Sequence, residues 1–204
     1  MKLAVVAANG KSGRLIVKEA VARGLDVTAV VRGENKTEAL HTLKKDIMDL
    51  TKEDLAGFDV VIDAFGIWDP NKMDQHSATL GHLSDILSGS KTRLLVVGGA
   101  GSLYVDKDHK TMISDLPDFS EAYLPTAVGM KNSLNALRKR DDVSPAAEFI
   151  ADGERTGKYI LAGEEFTTNE KGESKISYAD YTLAMVDEAV SGSHIHQRIS
   201  VLGK

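Results

Sequence analysis

The sequence contains no cysteine, and this absence excludes several kinds of site at once. Disulfides, a thiolate nucleophile and a cysteine-ligated metal all require that side chain. A chain without cysteine is compatible with a reducing compartment. His194 and His196 have the spacing of a pair of metal ligands, but no third histidine or carboxylate stands at a useful distance in the sequence. We therefore expect a surface turn there and no metal site.

A basic block and a long apolar run are also missing. The 204 residues carry 25 Lys and Arg against 30 Asp and Glu, which gives a net charge of −5. Nucleic-acid phosphates are bound by clustered Lys and Arg, so we expect no nucleic-acid partner. The apolar run at residues 3–8 is too short for a signal-peptide core, and no run approaches the length of a membrane span. The expectation is a cytoplasmic protein with no membrane partner.

Short apolar runs alternate with helical patterns along the chain, and no internal repeat interrupts them. Strands are predicted at residues 3–8, 27–31, 58–65, 93–97, 159–162 and 198–202, and helices from about residue 13 to Gly24 and over 71–87, 126–139 and 178–190. Strands that alternate with helices form right-handed crossovers and a parallel sheet. We predict an α/β protein with a doubly wound parallel sheet of the Rossmann type, helices on both faces, and a small irregular C-terminal region. Residues 1–204 form one domain in this interpretation, and residues from about 145 onward supply the substrate side.

One expected strand is missing from the pattern. The helix over 126–139 is followed by a charged run at 138–142, and only Val143 and Ser144 then precede Pro145. A doubly wound sheet should have a strand here, yet two residues before a proline are too few for one. The pattern indicates either a lost strand or a sequence that lacks a few residues.

The first strand leads into a turn that resembles a dinucleotide-binding turn with one substitution. Ala7, Gly10 and Gly13 stand where three glycines allow the tight bend, the approach of backbone to pyrophosphate, and the packing of helix on strand. Alanine adds only a methyl group, and asparagine tolerates a left-handed conformation. We predict phosphate binding at the helix N-terminus by Asn9, Gly10, Lys11, Ser12 and Gly13. A plain strand–turn–helix that uses its glycines only for packing stays an alternative.

Three further segments favour a cofactor site. Arg32 follows the second strand, where an acidic residue is typical of NAD sites and an arginine favours the 2′-phosphate of NADP. Asp46 and Ile47 follow at a place where an adenine edge could lie. Two later strands end in small or glycine-rich turns at the same edge of the sheet, the carboxyl edge at which such folds bind ligands. From these turns we expect cofactor contacts by Ala64, Phe65, Gly66, Gly98 and Gly99.

With these residues assembled, the chain resembles the NAD(P)-binding family of atypical short-chain dehydrogenases/reductases, in the NADH-flavin reductase-like group related to NmrA-like proteins. The stretches that carry the resemblance are VVAANGKSGRLIV, VTAVVRGENK, DVVIDAFGIW, TRLLVVGGAGSLYVD, SPAAEFIADGERTGKYIL and ISYADYTLAMVDE, which cover nearly the whole chain. The family usually has glycine at the position of Ala7 and a full strand before the Ser-Pro-Ala-Ala stretch. The resemblance implies binding of NAD(P), with NADP(H) favoured here by Arg32.

Classical short-chain dehydrogenases combine a serine with a tyrosine and a lysine four residues apart. Here Lys131 is preceded at that spacing by Ala127, and Gly99 or Ala100 occupies the serine position. Reduction of a carbonyl requires a proton donor at the forming alkoxide, whereas a flavin or quinone accepts hydride directly. Lys131 is either a solvated helix residue or a ligand of the nicotinamide ribose.

The sequence thus leaves two functions open. Lys131, Ser102 and Tyr104 are the candidate catalytic residues of an NADP(H)-dependent oxidoreductase that reduces a flavin or another planar, quinone-like acceptor. The alternative is a catalytically silent NAD(P)-binding sensor of the NmrA-like type, which the missing tyrosine also fits. Trp68, Phe149 and Phe166 are candidates to stack on a planar ring. The physiological substrate and the oligomeric state, monomer or dimer, do not follow from the sequence.

Overall fold

A computed structural model of the protein describes residues 1–136 and 141–204. The strands in these ranges are β1 (Lys2–Val6), β2 (Asp26–Val31), β3 (His41–Lys44), β4 (Val60–Asp63), β5 (Arg93–Val97), β6 (Asp141–Pro145), β7 (Glu148–Ile150), β8 (Tyr159–Ala162), β9 (Lys175–Ser177) and β10 (Arg198–Gly203). The α-helices are α1 (Lys11–Ala22), α2 (Asp74–Leu87), α3 (Leu124–Ala136) and α4 (Tyr178–Ser191). The predicted continuation of α3 over residues 137–139 lies outside the described residues.

Eight strands form one sheet in the order β3-β2-β1-β4-β5-β6-β10-β8. All neighbours pair in parallel except β8, which runs antiparallel to β10 at one edge. β7 and β9 pair separately as a small parallel sheet. This arrangement confirms the predicted doubly wound Rossmann fold.

The two faces of the sheet carry separate layers of core, as the side-chain alternation of β1 shows. Leu3 and Val5 lie in one apolar cluster with Ile16 of α1 and Met185 of α4. Ala4 and Val6 lie in the other with Leu83 of α2. A strand buried on both faces is apolar along its whole length, which explains the uninterrupted run at 3–8. Helices therefore cover both faces, as predicted.

The last helix has clear start and stop signals in the sequence. The hydroxyl of Ser177 accepts a hydrogen bond from the backbone N–H of Asp180 at 3.0 Å and so caps the N-terminus of α4. Gly192 follows the helix in the left-handed conformation, with φ of 60°. Beyond α4 the chain enters β10, which carries the C-terminal region into the main sheet.

The prediction that a strand is missing before Pro145 is wrong, because β6 lies there. β6 pairs with β5 from Asp141 to Val143 and with β10 from Asp142 to Pro145. The hydrogen bonds of a sheet are made by the backbone, so charged residues can enter a strand that has neighbours on both sides. Proline cannot donate to a sheet, and Pro145 stands at the last position of β6, beyond the last register pair with β5. The strand begins inside the charged run.

Candidate functional site at the carboxyl edge of the sheet

The turns that follow β1, β4 and β5 meet at one edge of the sheet, because these three strands are adjacent and parallel. The residues concerned are 7–13 after β1, 64–66 after β4 and 98–102 after β5. The prediction that these turns share one edge is confirmed.

Ala7 occupies the conformation that a first glycine would supply. Its φ is 55°, in the left-handed region, and its carbonyl accepts the backbone N–H of Gly10 at 2.9 Å. An alanine in this conformation costs roughly 1 kcal/mol relative to glycine. The tight bend of a dinucleotide turn is therefore formed despite the missing glycine.

Gly13 and Gly10 differ sharply in the space around them. A Cβ atom at Gly13 would lie 2.7 Å from the Ala7 carbonyl oxygen and 2.9 Å from two backbone atoms of Ala8. At Gly10 the nearest such atom would be the Ala7 carbonyl oxygen at 3.2 Å. Gly13 thus allows α1 to pack directly on the turn, as expected for a third glycine, whereas Gly10 stands at the surface in front of the helix.

The N-terminus of α1 has the character of an anion site. Gly10 precedes the helix without any side-chain cap, and the first turn has no acidic residue. The first backbone N–H groups of a helix lack partners within the helix and carry partial positive charge. Lys11 is exposed and Ser12 half-buried at this end. Phosphate oxygens are groups that such amides bind well.

Asn9 ties the turn to the loop that follows β2. Its amide Nδ2 donates to the Glu34 carbonyl at 2.8 Å, and its Oδ1 accepts the backbone N–H of Lys36 at 2.9 Å. Arg14 Nε in turn donates to the Asn9 carbonyl at 2.9 Å. Sequence reasoning overlooked Arg14, because an arginine one turn into a helix has no motif of its own. The guanidinium adds positive charge beside the uncapped helix end.

Arg32 lies just past β2, and its side chain is 83% exposed. Its Nη1 is 3.9 Å from Oδ2 of Asp46. Asp46 Oδ1 also accepts the backbone N–H of Met48 at 3.1 Å, which fixes that carboxylate at the start of a short 3-10 turn. Ile47 is buried among apolar core residues. The structure thus brings Arg32 and Asp46 together, while the Ile47 side chain serves the core.

The end of β4 contributes a buried carboxyl group that sequence reasoning did not select. Asp63 is only 4% exposed, and its Oδ1 accepts the backbone N–H of Phe65 at 2.9 Å. Burial raises the pKa of Asp63 to about 6. Phe65 packs edge-on against the His76 ring, with centroids 5.6 Å apart. Burial also lowers the pKa of His76, whose Nε2 lies 3.2 Å from the Ile67 carbonyl.

The turn after β5 rests on a buried guanidinium from β10. Arg198 donates to the Ser102 carbonyl at 2.8 Å and to the Gly99 carbonyl at 3.3 Å. The Ser102 hydroxyl accepts from Arg198 Nη2 at 2.8 Å and donates to the Gly99 carbonyl at 3.2 Å. A Cβ atom at Gly99 would lie 2.7 Å from the sulfur of Met130, so a larger residue here would require the Met130 side chain to move. Ser102 therefore shapes the turn that contains Gly98 and Gly99.

Tyr104 is also buried, at 3% exposure, and its ring stacks on His109 with centroids 4.4 Å apart. His109 Nε2 lies 2.8 Å from Oε1 of Glu165. Backbone hydrogen bonds join Tyr104 to Glu164 and Phe166 on the same side. This candidate residue is built into the contact between two loops.

Lys131 projects from α3 next to an acidic partner. Its Nζ lies 3.0 Å from Oδ1 of Asp115, and hydrogen bonds from the Met112 backbone and from Lys131 lower the pKa of that carboxyl. Ala127 lies one turn earlier on the helix and is buried. A Cβ atom at Gly101 would be only 2.7 Å from the Ala127 Cβ. The turn after β5 thus lies close against α3 at Ala127.

The three candidate stacking residues are in different situations. Trp68 is 67% exposed in the loop after β4, and Phe166 is 39% exposed beside Tyr104. Phe149 stacks on Tyr178 with ring centroids 3.8 Å apart and meets Tyr181 edge-on. Trp68 and Phe166 therefore offer open ring faces, whereas Phe149 is engaged by its neighbours.

A family model described as NAD(P)H-binding matches residues 7–189, which include every turn of this edge. The chain belongs to the NAD(P)H-binding family. Membership agrees with the resemblance to atypical short-chain dehydrogenases/reductases and NmrA-like proteins.

Similar proteins span the whole chain. The protein YwnB of Bacillus subtilis (strain 168), which has no assigned function, is 42% identical over 212 residues that cover 100% of this chain and 99% of its own length. The structure of SP1627 from Streptococcus pneumoniae TIGR4, provisionally described as an NADH-flavin reductase, is 54% identical, covers 100% of both chains and superposes with a TM-score of 0.98. A protein from Lactobacillus casei is 28% identical over 100% of this chain and 99% of its own, with a TM-score of 0.87.

Two further classes of feature are absent from residues 1–136 and 141–204. No helix there is long and apolar enough to cross a membrane. Within the same ranges, no three His, Asp or Glu side chains come together in a way that could hold a metal ion.

Proposed function

We propose that the protein is an NADP(H)-dependent oxidoreductase that reduces a flavin or a quinone-like planar acceptor by direct hydride transfer. The observation that carries the proposal is Ala127, which stands four residues before Lys131, where a short-chain dehydrogenase has its tyrosine, and lies buried beside Gly101. The chain thus combines a nucleotide-binding edge with no tyrosine acid at the spacing that carbonyl reduction uses. A flavin or quinone needs no such acid during hydride transfer.

The residues of the edge fit the cofactor. The uncapped amides at the start of α1 suit the pyrophosphate, and a Cβ at Gly13 would be blocked by the turn itself. Arg32 is exposed and suits the 2′-phosphate of NADP. The backbone of residues 64–66 and 98–99 follows the strands over which the rest of the cofactor would lie. When bound, NADPH supplies the hydride.

The residues on the acceptor side have complementary roles in this proposal. Lys131 holds a ribose hydroxyl of the nicotinamide half, and Asp115 restrains its ammonium group at 3.0 Å. Trp68 and Phe166 offer exposed rings that could cover a planar acceptor. Residues from about 145 onward close the substrate side of a single domain that spans residues 1–204. The provisional description of SP1627 as an NADH-flavin reductase supports the same class of acceptor.

The test is oxidation of NADPH by the purified protein with FMN, FAD, a soluble quinone or a simple ketone as acceptor. We expect turnover with at least one flavin or quinone and almost none with the ketone. Rapid reduction of the ketone would show that a proton donor is present and the proposal is wrong. Tight binding of NADPH without turnover of any acceptor would favour the alternative, a catalytically silent NAD(P)-binding sensor.

A further inference from the structure

A small cavity lies directly beneath the turn that follows β5. Its volume is about 30 Å³, enough for one or two water molecules and far too small for a nicotinamide ring. Asp63 lines it from β4, Gly98 and Gly99 from the turn after β5, and Met130 from α3. The Asp63 carboxyl thus shares this cavity with the turn over which the proposed cofactor would lie.

The second oxygen of Asp63 has no hydrogen-bond donor among the described residues, whereas the first is bound by the Phe65 amide. The described residues that line the cavity include no lysine or arginine. An ionised Asp63 therefore places a negative charge in a poorly solvated space, and no lysine or arginine lies among the described residues around that space. Electrostatic interactions are stronger in such a space than in water.

Further titratable or charged groups lie on α2, α3 and β10. His76 of α2 lines the same cavity, and burial lowers its pKa, so its ring is neutral near pH 7. Lys131 of α3 is neutralised by Asp115. Arg198 of β10 lies beyond Ser102 and Gly99, to which it donates. Among the described residues that line the cavity, Asp63 is thus the one that carries a charge at neutral pH.

The two redox forms of the cofactor differ by one charge at the ring, since oxidised nicotinamide is a cation and reduced nicotinamide is neutral. We infer that Asp63 is an electrostatic residue of the cofactor site, whose carboxylate favours the oxidised form of the nicotinamide and so promotes loss of hydride. The inference rests on the proposed function. Asp63 acts across the cavity without touching the ring, and the neutral carboxylic acid gives no such preference.

Binding measurements test this without turnover. Dissociation constants of NADP⁺ and NADPH are measured by calorimetry between pH 5 and pH 7.5. We expect the ratio of the NADPH constant to the NADP⁺ constant to rise about tenfold with pH. The 2′-phosphate has a second pKa of about 6, but both forms carry it and it cancels in the ratio. The same experiment with NAD⁺ and NADH removes it altogether.

Three variants test whether Asp63 causes the rise of this ratio with pH. Asp63→Asn keeps the acceptor for the Phe65 amide and should make the ratio independent of pH. Asp85→Asn, which removes an exposed carboxylate on α2, should behave as wild type. In His76→Gln the ratio should still rise with pH. If the rise is lost in this variant, the titrating group is His76 and the inference is wrong.

The outcomes separate this inference from the proposed function. Binding of both forms at a ratio that does not change with pH in the wild type overturns the inference alone, whatever the variants do. Failure of both forms to bind at any pH overturns the proposed function and the inference with it.

Discussion

The ammonium group of Lys131 and the carboxylate of Asp115 form an ion pair of 3.0 Å that joins α3 to the loop before it. Asp115 Oδ2 also accepts the Met112 backbone N–H at 3.0 Å, so the carboxylate is held in place from its own loop. The side chains of Lys131 and Asp115 are 28% and 41% exposed. Such partly exposed pairs contribute at most about 1 kcal/mol to folding, which leaves Lys131 free to exchange its partner for a ribose hydroxyl.

Replacement of Lys131 by alanine should therefore weaken cofactor binding more than it slows chemistry. We expect the KM for NADPH to rise about tenfold, the equivalent of one lost charge-assisted hydrogen bond. The kcat with a flavin acceptor should stay within about threefold, because the lysine does not donate the reacting proton. Steady-state kinetics of Lys131→Ala, with Lys131→Arg as the control that keeps the charge, separate the two constants. A fall of kcat by a hundredfold at unchanged KM would assign Lys131 to the chemical step.

The two glycines of the first turn should respond differently to substitution. Gly10→Val places a branched side chain in front of the helix amides, where the pyrophosphate would lie, and we expect loss of NADPH binding with little change in stability. Gly13→Ala puts a methyl group 2.7–2.9 Å from three backbone atoms, which should destabilise the fold by about 1–3 kcal/mol. Calorimetric titration and urea denaturation of both variants check this. Normal NADPH binding by a folded Gly10→Val variant would place the cofactor elsewhere.

Arg32 should determine the choice between NADPH and NADH. A charge-assisted contact with the 2′-phosphate is worth roughly 1.5–3 kcal/mol, and the high exposure of the side chain places it at the lower end. We expect the wild type to bind NADPH about tenfold more tightly than NADH, and Arg32→Ala to bind both alike. Lys18→Ala, which removes an exposed charge further along α1, is the matched control. Equal affinities in the wild type would show that Arg32 does not contact the phosphate.

The buried carboxyl of Asp63 should make the protein less stable as the pH rises. Burial raises its pKa from 3.8 to about 6, so the folded state favours the protonated form. The protonated carboxyl contributes fully to the stability of the fold below pH 3.8, its ordinary pKa. This contribution is lost as the pH rises through 6. As the pH rises from 4 to 7.5, the free energy of unfolding of Asp63→Asn should therefore increase by about 2–3 kcal/mol relative to that of the wild type. Urea denaturation at both pH values measures it, and a gain that does not depend on pH would mean that Asp63 has an ordinary pKa.

The sequence predicted those parts of the fold that depend on apolar periodicity. β5 was predicted at its observed bounds, and α4 ends one residue beyond its predicted limit, because side chains buried on a fixed face repeat at a fixed spacing. β3 and β6 were missed for the opposite reason. β3 is exposed or half-buried along its length, and β6 begins with charged residues, so neither has an apolar signal. Their neighbours in the sheet supply hydrogen bonds that no local pattern reveals.

The residues of the candidate site likewise fall into those that the sequence predicted and those that it did not. The residues of the first turn follow from spacing alone, since each glycine has a separate steric task. Asp115 and Arg198 could not be selected, because their importance comes from neighbours distant in sequence. Arg198 supports Ser102 from 96 residues away. A signal for Asp63 did exist, since an acidic residue at the end of a fully apolar strand must be buried at the strand terminus.

Restoring the missing tyrosine should not restore the chemistry that it performs elsewhere. Ala127→Tyr recreates the four-residue spacing to Lys131, but Gly101 already fills the space beside the Ala127 methyl group. We expect this variant to be destabilised by at least about 1–3 kcal/mol through overpacking and to reduce simple ketones no faster than wild type. Val128→Tyr, at a neighbouring position that is 43% exposed, should leave stability nearly unchanged. Urea denaturation and a ketone-reduction assay measure both effects. A stable Ala127→Tyr variant that reduces ketones would show that the turn after β5 can move aside, and that only the absence of the hydroxyl keeps the protein from carbonyl reduction.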